Sequence, residues 1–273
     1  MSTAQTTSAQ QEQGTALITG ASSGIGAVYA DRLAQRGFDL YLVARDQQRL
    51  DALAAALQQK TGRAIRTLRA DLTNRADLLS VAERLRIDGA ITMLVNNAGT
   101  VAPGTLLDGD SDQLEAMIQL NVVAATRLAV EAARAFVARG RGTIINIASV
   151  LALTPERLNG GYSASKAFLL NLTQALQAET LAAGVRVQAV LPGATRTEIW
   201  ARSGRPLASL PAEILMEVDE LVDAALSGLD QGETVTIPSL EDPALWQAFS
   251  EARAALGPHL SRNHAARRYG ATP

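Results

Sequence analysis

Short apolar runs alternate with stretches of helical period along most of the chain, and this alternation largely decides the fold. Seven runs have the length and composition of buried strands: 15–19, 39–44, 64–70, 91–97, 142–149, 185–192 and 234–238. Apolar residues recur at helical spacing between them, over 24–37, 47–60, 74–87, 112–139 and 162–183. Strands that alternate with helices indicate βαβ units, a parallel sheet and helices on both of its faces.

The domain organisation is simple, because no linker, low-complexity segment or internal repeat divides the 273 residues. We predict one doubly wound α/β domain over 14–238, preceded by a polar, disordered tail over 1–13. A C-terminal extension over 239–273 should begin with an amphipathic helix. Asp242 can cap that helix, with Pro243 in its first turn, and Gly257 can end it.

Composition excludes several classes of function. The chain has 25 basic and 27 acidic residues, so there is no basic excess for nucleic acid or an anionic membrane. Cysteine is absent, which rules out disulfides, thiol catalysis and thiolate metal sites, and we expect no metal. The first 14 residues lack an apolar signal-peptide core, and no run approaches the ~20 apolar residues of a membrane helix. We therefore expect a cytoplasmic protein.

A glycine-rich turn follows the first predicted strand. In "TGASSGIG" (19–26) the glycines are Gly20, Gly24 and Gly26. Glycines let the backbone approach a pyrophosphate, and the N-terminus of the next helix offers unpaired N–H groups and a favourable dipole. A plain glycine turn is the alternative, but the position between a first strand and a helix favours a dinucleotide cradle.

The end of the second strand indicates the form of that dinucleotide. An acid at this tip would bind the ribose 2′-hydroxyl of NAD, whereas an arginine accommodates the 2′-phosphate of NADP. The tip is Ala44, followed by Arg45 and Asp46. Asp46 precedes a helical pattern and is a natural N-cap, although it also lies in the window for the ribose acid. We favour Arg45 as the phosphate ligand, and hence NADP(H).

A tyrosine and a lysine stand four residues apart in "GYSASKAF" (161–168). On a helix, Tyr162 and Lys166 would lie on one face. A surface helix with one aromatic and one solvated charge is the alternative. The chemical interpretation is that a cation beside the phenol lowers its pKa from about 10 and fits it for general acid–base catalysis.

The motifs together resemble the short-chain dehydrogenase/reductase family. "TGASSGIG", "NNAG" (96–99), Asn121, Ser149, "YSASK" (162–166) and "PGATRT" (192–197) stand in that family's order and spacing, over about 14–238. The resemblance is to the single-domain members of about 250 residues, and the glycine spacing departs from that of the epimerase-like members. It implies a seven-stranded, mainly parallel sheet of order 3-2-1-4-5-6-7.

The resemblance also implies roles for residues. It places four in the catalytic set: Asn121, Ser149, Tyr162 and Lys166. It implies a cofactor site at the strand ends, to which Arg45 and the glycines are added from the arguments above. The members of this site are Gly20, Ser22, Ser23, Gly24, Ile25, Gly26, Arg45, Asp71, Leu72, Asn97, Ala98, Gly99, Tyr162, Lys166, Pro192, Gly193, Thr195 and Thr197.

The substrate side is less defined by the sequence. Apolar residues after Ser149 suggest one wall of a pocket, and the irregular segment 194–215 suggests a lid. Ordinary loop packing is the alternative. The expected substrate residues are Ser149, Leu151, Leu153, Tyr162 and Trp200. No arginine cluster points to a phosphate or coenzyme A, so we expect an apolar ketone or aldehyde and the corresponding alcohol.

These features lead to one preferred function. We expect an NADPH-dependent oxidoreductase that uses Tyr162 as general acid–base and forms a homodimer or homotetramer through the two long helices, as the family resemblance implies. A catalytically idle NADP-binding sensor or scaffold is one alternative. An isomerase or dehydratase on the same fold is another.

Overall fold

The computed structural model describes residues 13–156, 160–204 and 206–270. Seven strands form one sheet in the order β3-β2-β1-β4-β5-β6-β7, in which every neighbouring pair is parallel. This confirms the predicted fold and strand order. The strands are β1 Thr15–Thr19, β2 Asp39–Ala44, β3 Ile65–Arg69, β4 Ile91–Asn96, β5 Gly142–Ile147, β6 Val185–Val190 and β7 Val235–Thr236.

Helices occupy the segments between the strands. They are α1 Gly24–Gln35, α2 Gln47–Thr61, α3 Arg75–Ile87, α4 Ser111–Ile118, α5 Ala125–Arg139, α6 Gly160–Thr180, α7 Ile199–Arg202, α8 Val218–Asp230 and α9 Pro243–Leu256. The helix predicted over 112–139 differs from expectation. Its two α-helical parts are joined by a π-helical turn, Gln119–Ala124, in which the backbone is wound more widely than in an α-helix.

Two hydrophobic cores lie on opposite faces of the sheet. Side chains alternate along β2, so that Leu40 and Leu42 face one core while Tyr41 and Val43 face the other. The first core includes buried residues of α1, α2 and α8, and the second includes those of α3 and α5. Burial on both faces explains why the strands are continuous apolar runs.

Acidic and amide side chains fix the starts of several helices. Asp46 accepts a hydrogen bond from the Arg49 amide at 3.0 Å, which confirms that it caps α2. Asp242 accepts one from the Ala244 amide at 2.9 Å and so caps α9, as predicted. The capping role of Asp46 bears directly on the choice between NAD and NADP.

The described residues contain one helical stretch, Ser111–Arg139, that is long and apolar enough to cross a membrane. This corrects the expectation that no segment reaches such a length. Leu128, Ala129, Ala132 and Phe136 of this stretch are buried in the second core. The apolar composition therefore serves the packing of a core helix.

The chain forms two compact units, one ending at Pro238 and one beginning at Ser239. The sheet and its flanking helices belong to the first. Within the second unit, the rings of Trp246 and Phe249 stack on α9 with centroids 5.4 Å apart, and a 3₁₀ turn, Gly257–His259, follows the helix.

A matched pair of leucines tests this description of the core. Leu94 of β4 is fully buried, whereas Leu107 is 94% exposed. We expect Leu94→Ala to lower the free energy of unfolding by about 2–5 kcal/mol, because it leaves a cavity. Leu107→Ala should change it by less than about 0.5 kcal/mol. Urea unfolding of both variants measures the difference, and equal effects would contradict the assigned burial.

Candidate active site

The glycine-rich turn has the shape of an anion cradle. Gly20 has a φ of +65°, which other residues rarely adopt, and a Cβ on Gly26 would clash with the Gly20 carbonyl oxygen. Ser23, the N-cap of α1, makes no side-chain capping bond. The first N–H groups of α1 are thus not capped by that side chain, and the turn fits the pyrophosphate of a dinucleotide.

Thr19 and Asn97 hold this turn against the end of β4. The Thr19 hydroxyl accepts hydrogen bonds from the amides of Asn97 at 3.0 Å and Ala98 at 2.9 Å. The Asn97 side chain donates to the Thr19 carbonyl at 2.9 Å. Sequence analysis missed Thr19, although a polar residue ending a buried strand just before a glycine turn is a usable signal.

Arg45 directly follows the end of β2. Arg45 is exposed, and its guanidinium has no hydrogen-bond or ion-pair partner among the residues that the structure describes. Asp46, the competing candidate, is engaged in capping α2. The Arg45 guanidinium is therefore available to bind an anion, whereas the Asp46 carboxylate is used as a helix cap. This arrangement suits a 2′-phosphate better than a 2′-hydroxyl.

Asp71 and Leu72 lie just beyond β3. Burial alone would raise the pKa of Asp71, but hydrogen bonds from the side chain and amide of Thr73, with the nearby Arg45 and Arg69, hold that pKa below its ordinary value. Leu72 is buried. The carboxylate therefore stays ionised, close to the cation expected to bind the cofactor.

Tyr162 and Lys166 lie together on α6, as the spacing predicted. The Lys166 side chain is buried, and its ammonium donates a hydrogen bond to the Ile147 carbonyl, at the end of β5, over 2.8 Å. The ammonium lies 5.6 Å from the centroid of the Tyr162 ring. A solvated surface lysine is thereby excluded.

The electrostatics of this pair differ from the simple expectation. Burial raises the pKa of Tyr162 to about 12, and its hydrogen bond with Ser149 lowers that pKa only in part. Burial lowers the pKa of Lys166 to about 8. Loss of solvent is thus the largest influence on both groups, and the pKa of the phenol stays above its ordinary value although an ammonium lies nearby.

Ser149 lies beyond the carboxyl end of β5. Its hydroxyl accepts a hydrogen bond from the Leu151 amide at 3.2 Å and contacts the Pro192 carbonyl at 3.4 Å. The Val150 amide also donates to Pro192, at 3.0 Å. These contacts join the ends of β5 and β6, where ligands of open α/β sheets bind.

Asn121 lies in the π-helical turn and is almost fully buried. Its amide nitrogen donates to the Thr100 carbonyl at 2.8 Å, and its Oδ1 accepts from the Thr100 amide at 2.9 Å. A Cβ placed on Gly99 would lie 3.3 Å from Asn121 Oδ1 and 3.4 Å from Lys166 Nζ. Two members of the predicted catalytic set, Asn121 and Lys166, therefore both lie next to Gly99.

The segment after β6 forms a loop whose two ends are hydrogen-bonded to each other. The Met216 amide donates to the Ala194 carbonyl and the Arg196 amide to the Met216 carbonyl, each over 3.0 Å, so the two ends are pinned together. The Trp200 indole N–H donates to the Thr195 carbonyl at 2.7 Å. Trp200 is thus anchored to the predicted nicotinamide segment.

The remaining predicted residues lie near these groups. Thr197 contacts the glycine turn, since a Cβ on Gly24 would lie 3.4 Å from its Cγ2. Leu151 and Leu153 are partly exposed beside Ser149, in and just after a 3₁₀ turn. Ser22 and Ile25 are partly buried, in the glycine turn and in the first turn of α1. Pro192 is buried and Gly193 partly buried, just beyond the end of β6.

The structure contains an ion pair at the edge of the site that the sequence analysis did not predict. Arg49 of α2 donates two hydrogen bonds to Glu198, at 3.0 and 3.1 Å. The pair connects the helix that follows Arg45 with the segment that follows Thr197. The two residues are 149 positions apart, so no local pattern could have indicated the contact.

Comparison with known proteins identifies the family. The family model described as short chain dehydrogenase matches residues 14–207. The chain belongs to the short-chain dehydrogenase/reductase family. It is therefore an oxidoreductase, and the resemblance drawn from the motifs is confirmed.

Two solved structures are similar to this chain over nearly their whole length. A short-chain dehydrogenase from Sphingobium yanoikuyae, in complex with NADPH, has 52% identity and a TM-score of 0.91, covering 94% of this chain and 100% of that one. The bulky-bulky ketone specific alcohol dehydrogenase from Comamonas testosteroni has 45% identity and a TM-score of 0.88, covering 95% and 99%.

Sequence comparison identifies a further similar protein. An uncharacterized oxidoreductase of Staphylococcus saprophyticus is 32% identical over 223 residues, which are 81% of this chain and 93% of that protein. The NADP(H) predicted from Arg45 agrees with the NADPH in the Sphingobium structure.

The burial of Lys166 should show as a pH dependence of stability. Its pKa is about 8 in the folded chain and 10.5 ordinarily, so between these values the unfolded chain binds a proton that the folded chain does not. Stability contributed by Lys166 must then rise with pH across this window, by at most about 1.4 kcal/mol per unit. The Tyr162 shift acts only above pH 10.

The measurement is urea unfolding of the native protein and of Lys166→Met from pH 7 to 10. We expect the difference in free energy of unfolding between the two proteins to be independent of pH below pH ~8. Above pH ~8 the native protein should gain stability relative to Lys166→Met. A difference independent of pH over this range would show that Lys166 keeps an ordinary pKa.

Proposed function

We propose that the protein is an NADPH-dependent reductase of ketones with bulky, apolar substituents, and that it interconverts them with secondary alcohols. The observation that carries this is the buried Lys166, hydrogen-bonded at the end of β5 beside Tyr162 and Ser149. The specificity stated for the Comamonas enzyme supports the substrate class. Partly exposed Leu151 and Leu153 supply an apolar wall beside Ser149.

NADP(H) is the cofactor. The glycine turn and the N-terminus of α1 hold the pyrophosphate, and Arg45 binds the 2′-phosphate, with Asp46 engaged elsewhere. Gly99, Asn97 and the segment from Pro192 to Thr197 line the nicotinamide end. The cofactor supplies the hydride for the carbonyl carbon when it is bound.

Tyr162 supplies the proton for the carbonyl oxygen. Burial raises its pKa to about 12, so the phenol is protonated at neutral pH and has a proton to give. Ser149 hydrogen-bonds Tyr162 and can hold the same substrate oxygen while negative charge develops on it. Lys166 binds the nicotinamide ribose and favours the phenolate that forms after proton transfer.

We assign to Asn121 a water that would pass protons to Lys166 and so return a proton to Tyr162. Asn121 and Lys166 lie close together, since a Cβ on Gly99 would lie 3.3 Å from Asn121 Oδ1 and 3.4 Å from Lys166 Nζ. The π-helical turn supports this role, because such turns inside α-helices are frequent at functional sites.

The alternatives are less well supported by the site. An idle NADP-binding sensor or scaffold has no need of a buried ammonium beside a tyrosine, because burying an unpaired charge costs stability. An isomerase or dehydratase would share the cofactor but would not consume it. Net oxidation of NADPH separates both from a reductase.

We also propose a cytoplasmic homodimer or homotetramer. Val123, Val137 and Phe168 are partly exposed apolar side chains on the two long helical segments. Such a surface fits a contact between copies of this chain.

The test of the function is a screen of bulky diaryl, aryl-alkyl and polycyclic ketones, with small ketones and aldehydes as comparison. The decrease in NADPH absorbance is followed and the alcohol product is identified. Turnover of bulky ketones supports the proposal. Binding of NADPH without turnover of any compound would favour the idle sensor or scaffold.

The proton donor is tested by Tyr162→Phe. This variant should bind NADPH normally but lose at least ~10²-fold in kcat, since a positioned general acid contributes about that much. Tyr29→Phe is the matched control, because Tyr29 is fully buried and its hydroxyl has no hydrogen-bond partner in the described part of the chain. If Tyr162→Phe keeps half of native turnover, another group donates the proton.

Cofactor choice is tested by steady-state kinetics with both cofactors at limiting concentration. Charge-assisted contacts are worth about 1.5–3 kcal/mol each, so the native protein should prefer NADPH to NADH by at least about tenfold in kcat/KM. Ala44→Asp combined with Arg45→Leu should reverse the preference, because the new acid repels the phosphate and holds the free hydroxyl. A native preference for NADH would overturn the assignment of Arg45.

A further inference from the structure

A serine hydroxyl connects the π-helical turn to the helix that carries Tyr162 and Lys166. Ser165 is 3% exposed, and its hydroxyl donates a hydrogen bond to the Tyr162 carbonyl at 2.7 Å. The same oxygen accepts one from the Asn121 amide nitrogen at 3.1 Å. One hydroxyl thus touches both the backbone of the proposed proton donor and the side chain of the proposed relay.

The Asn121 side chain depends on this contact. Its amide group has two N–H donors, of which one meets the Thr100 carbonyl and the other meets Ser165. Its oxygen accepts from the Thr100 amide. Asn121 is 1% exposed, so the loss of a partner would leave a buried N–H group unpaired in the protein.

The contacts to Thr100 alone do not fix Asn121 relative to α6. Thr100 follows β4 and Gly99, whereas Tyr162 and Lys166 belong to α6. The hydroxyl of Ser165 accepts a hydrogen bond that links the Asn121 side chain to α6. A π-helical turn is uncommon and has an α-helical alternative, so a fixed contact at its buried centre favours the wider form.

We propose that Ser165 is a positioning residue for the reaction, which holds Asn121 and its π-helical turn in register with Tyr162 and Lys166. This inference rests on the proposed function. Ser165 itself touches neither substrate nor the reacting oxygen, and it acts through Asn121.

The same helix contains a matched control. Thr173 is fully buried, its hydroxyl donates to the Leu169 carbonyl at 2.6 Å, and it accepts from the amide nitrogen of Asn146 at 3.0 Å. Thr173→Val therefore removes the same pair of hydrogen bonds, on α6 but two turns away from Lys166. Any loss of stability or activity that comes only from removing a buried hydroxyl should therefore be the same in Thr173→Val and Ser165→Ala.

The first experiment compares kcat, the KM for NADPH and the Tm of these two variants. Both should lower Tm. Ser165→Ala should also lower kcat by about tenfold with little change in KM, because a small displacement of a positioned group is costly in rate. Thr173→Val should keep kcat within about twofold, as for a site away from the chemistry. Equal kcat values for the two variants would overturn the proposal.

A double-mutant cycle tests whether Ser165 acts through Asn121. In an Asn121→Ala background, Ser165→Ala should lower kcat no further, because the amide that it positions is gone. An equal additional loss in that background would overturn the proposal, since it would make Ser165 independent of Asn121. If Ser165→Ala does not fold, Ser165→Cys keeps the volume with a weaker donor and decides by the same cycle.

The failure of this inference is distinguishable from failure of the proposed function. If the native protein reduces no ketone, the function fails, and crystal structures then decide the positioning role by themselves. In Ser165→Ala the Asn121 side chain should turn away from α6 while Tyr162 and Lys166 stay in place. An unchanged Asn121 would overturn the inference whatever the activity.

Discussion

The buried hydrogen bond from the Lys166 ammonium to the Ile147 carbonyl is the contact on which the site depends. It ties α6 to the carboxyl end of β5, which brings Tyr162 beside Ser149 and the strand ends. Burial lowers the pKa of Lys166 to about 8 and raises that of Tyr162 to about 12. At neutral pH the pair therefore holds an ammonium and a protonated phenol, which suits reduction of a carbonyl.

Three further connections place the rest of the site around this contact. Thr19 and Asn97 join the glycine turn to the end of β4. Ser149 and Pro192 join the ends of β5 and β6. The Arg49–Glu198 ion pair joins α2 to the segment after β6, although its exposed charges contribute little stability in water. Each connection unites elements that are distant in sequence, so the site exists only in the folded sheet.

Short motifs predicted the family, and the resemblance to that family implied the strand order. The four-residue spacing of Tyr162 and Lys166 predicted that the two lie on one face of a helix. The sequence did not predict the π-helical turn at Asn121, because one inserted residue hardly changes the apolar pattern of a long helix. The expectation that Lys166 lowers the pKa of Tyr162 was wrong, because burial raises that pKa. A neighbouring charge can be identified from helical spacing in the sequence, whereas the extent of burial depends on the folded structure. The Arg49–Glu198 pair depends on tertiary structure alone.

Isotope transfer tests the central claim most directly. NADPH deuterated at both C4 hydrogens of the nicotinamide is incubated with the protein and a bulky aryl ketone, and the product is analysed by mass spectrometry and proton NMR. The account predicts a secondary alcohol with one deuterium on the carbinol carbon. An alcohol without deuterium, or oxidised cofactor without any alcohol, would contradict it.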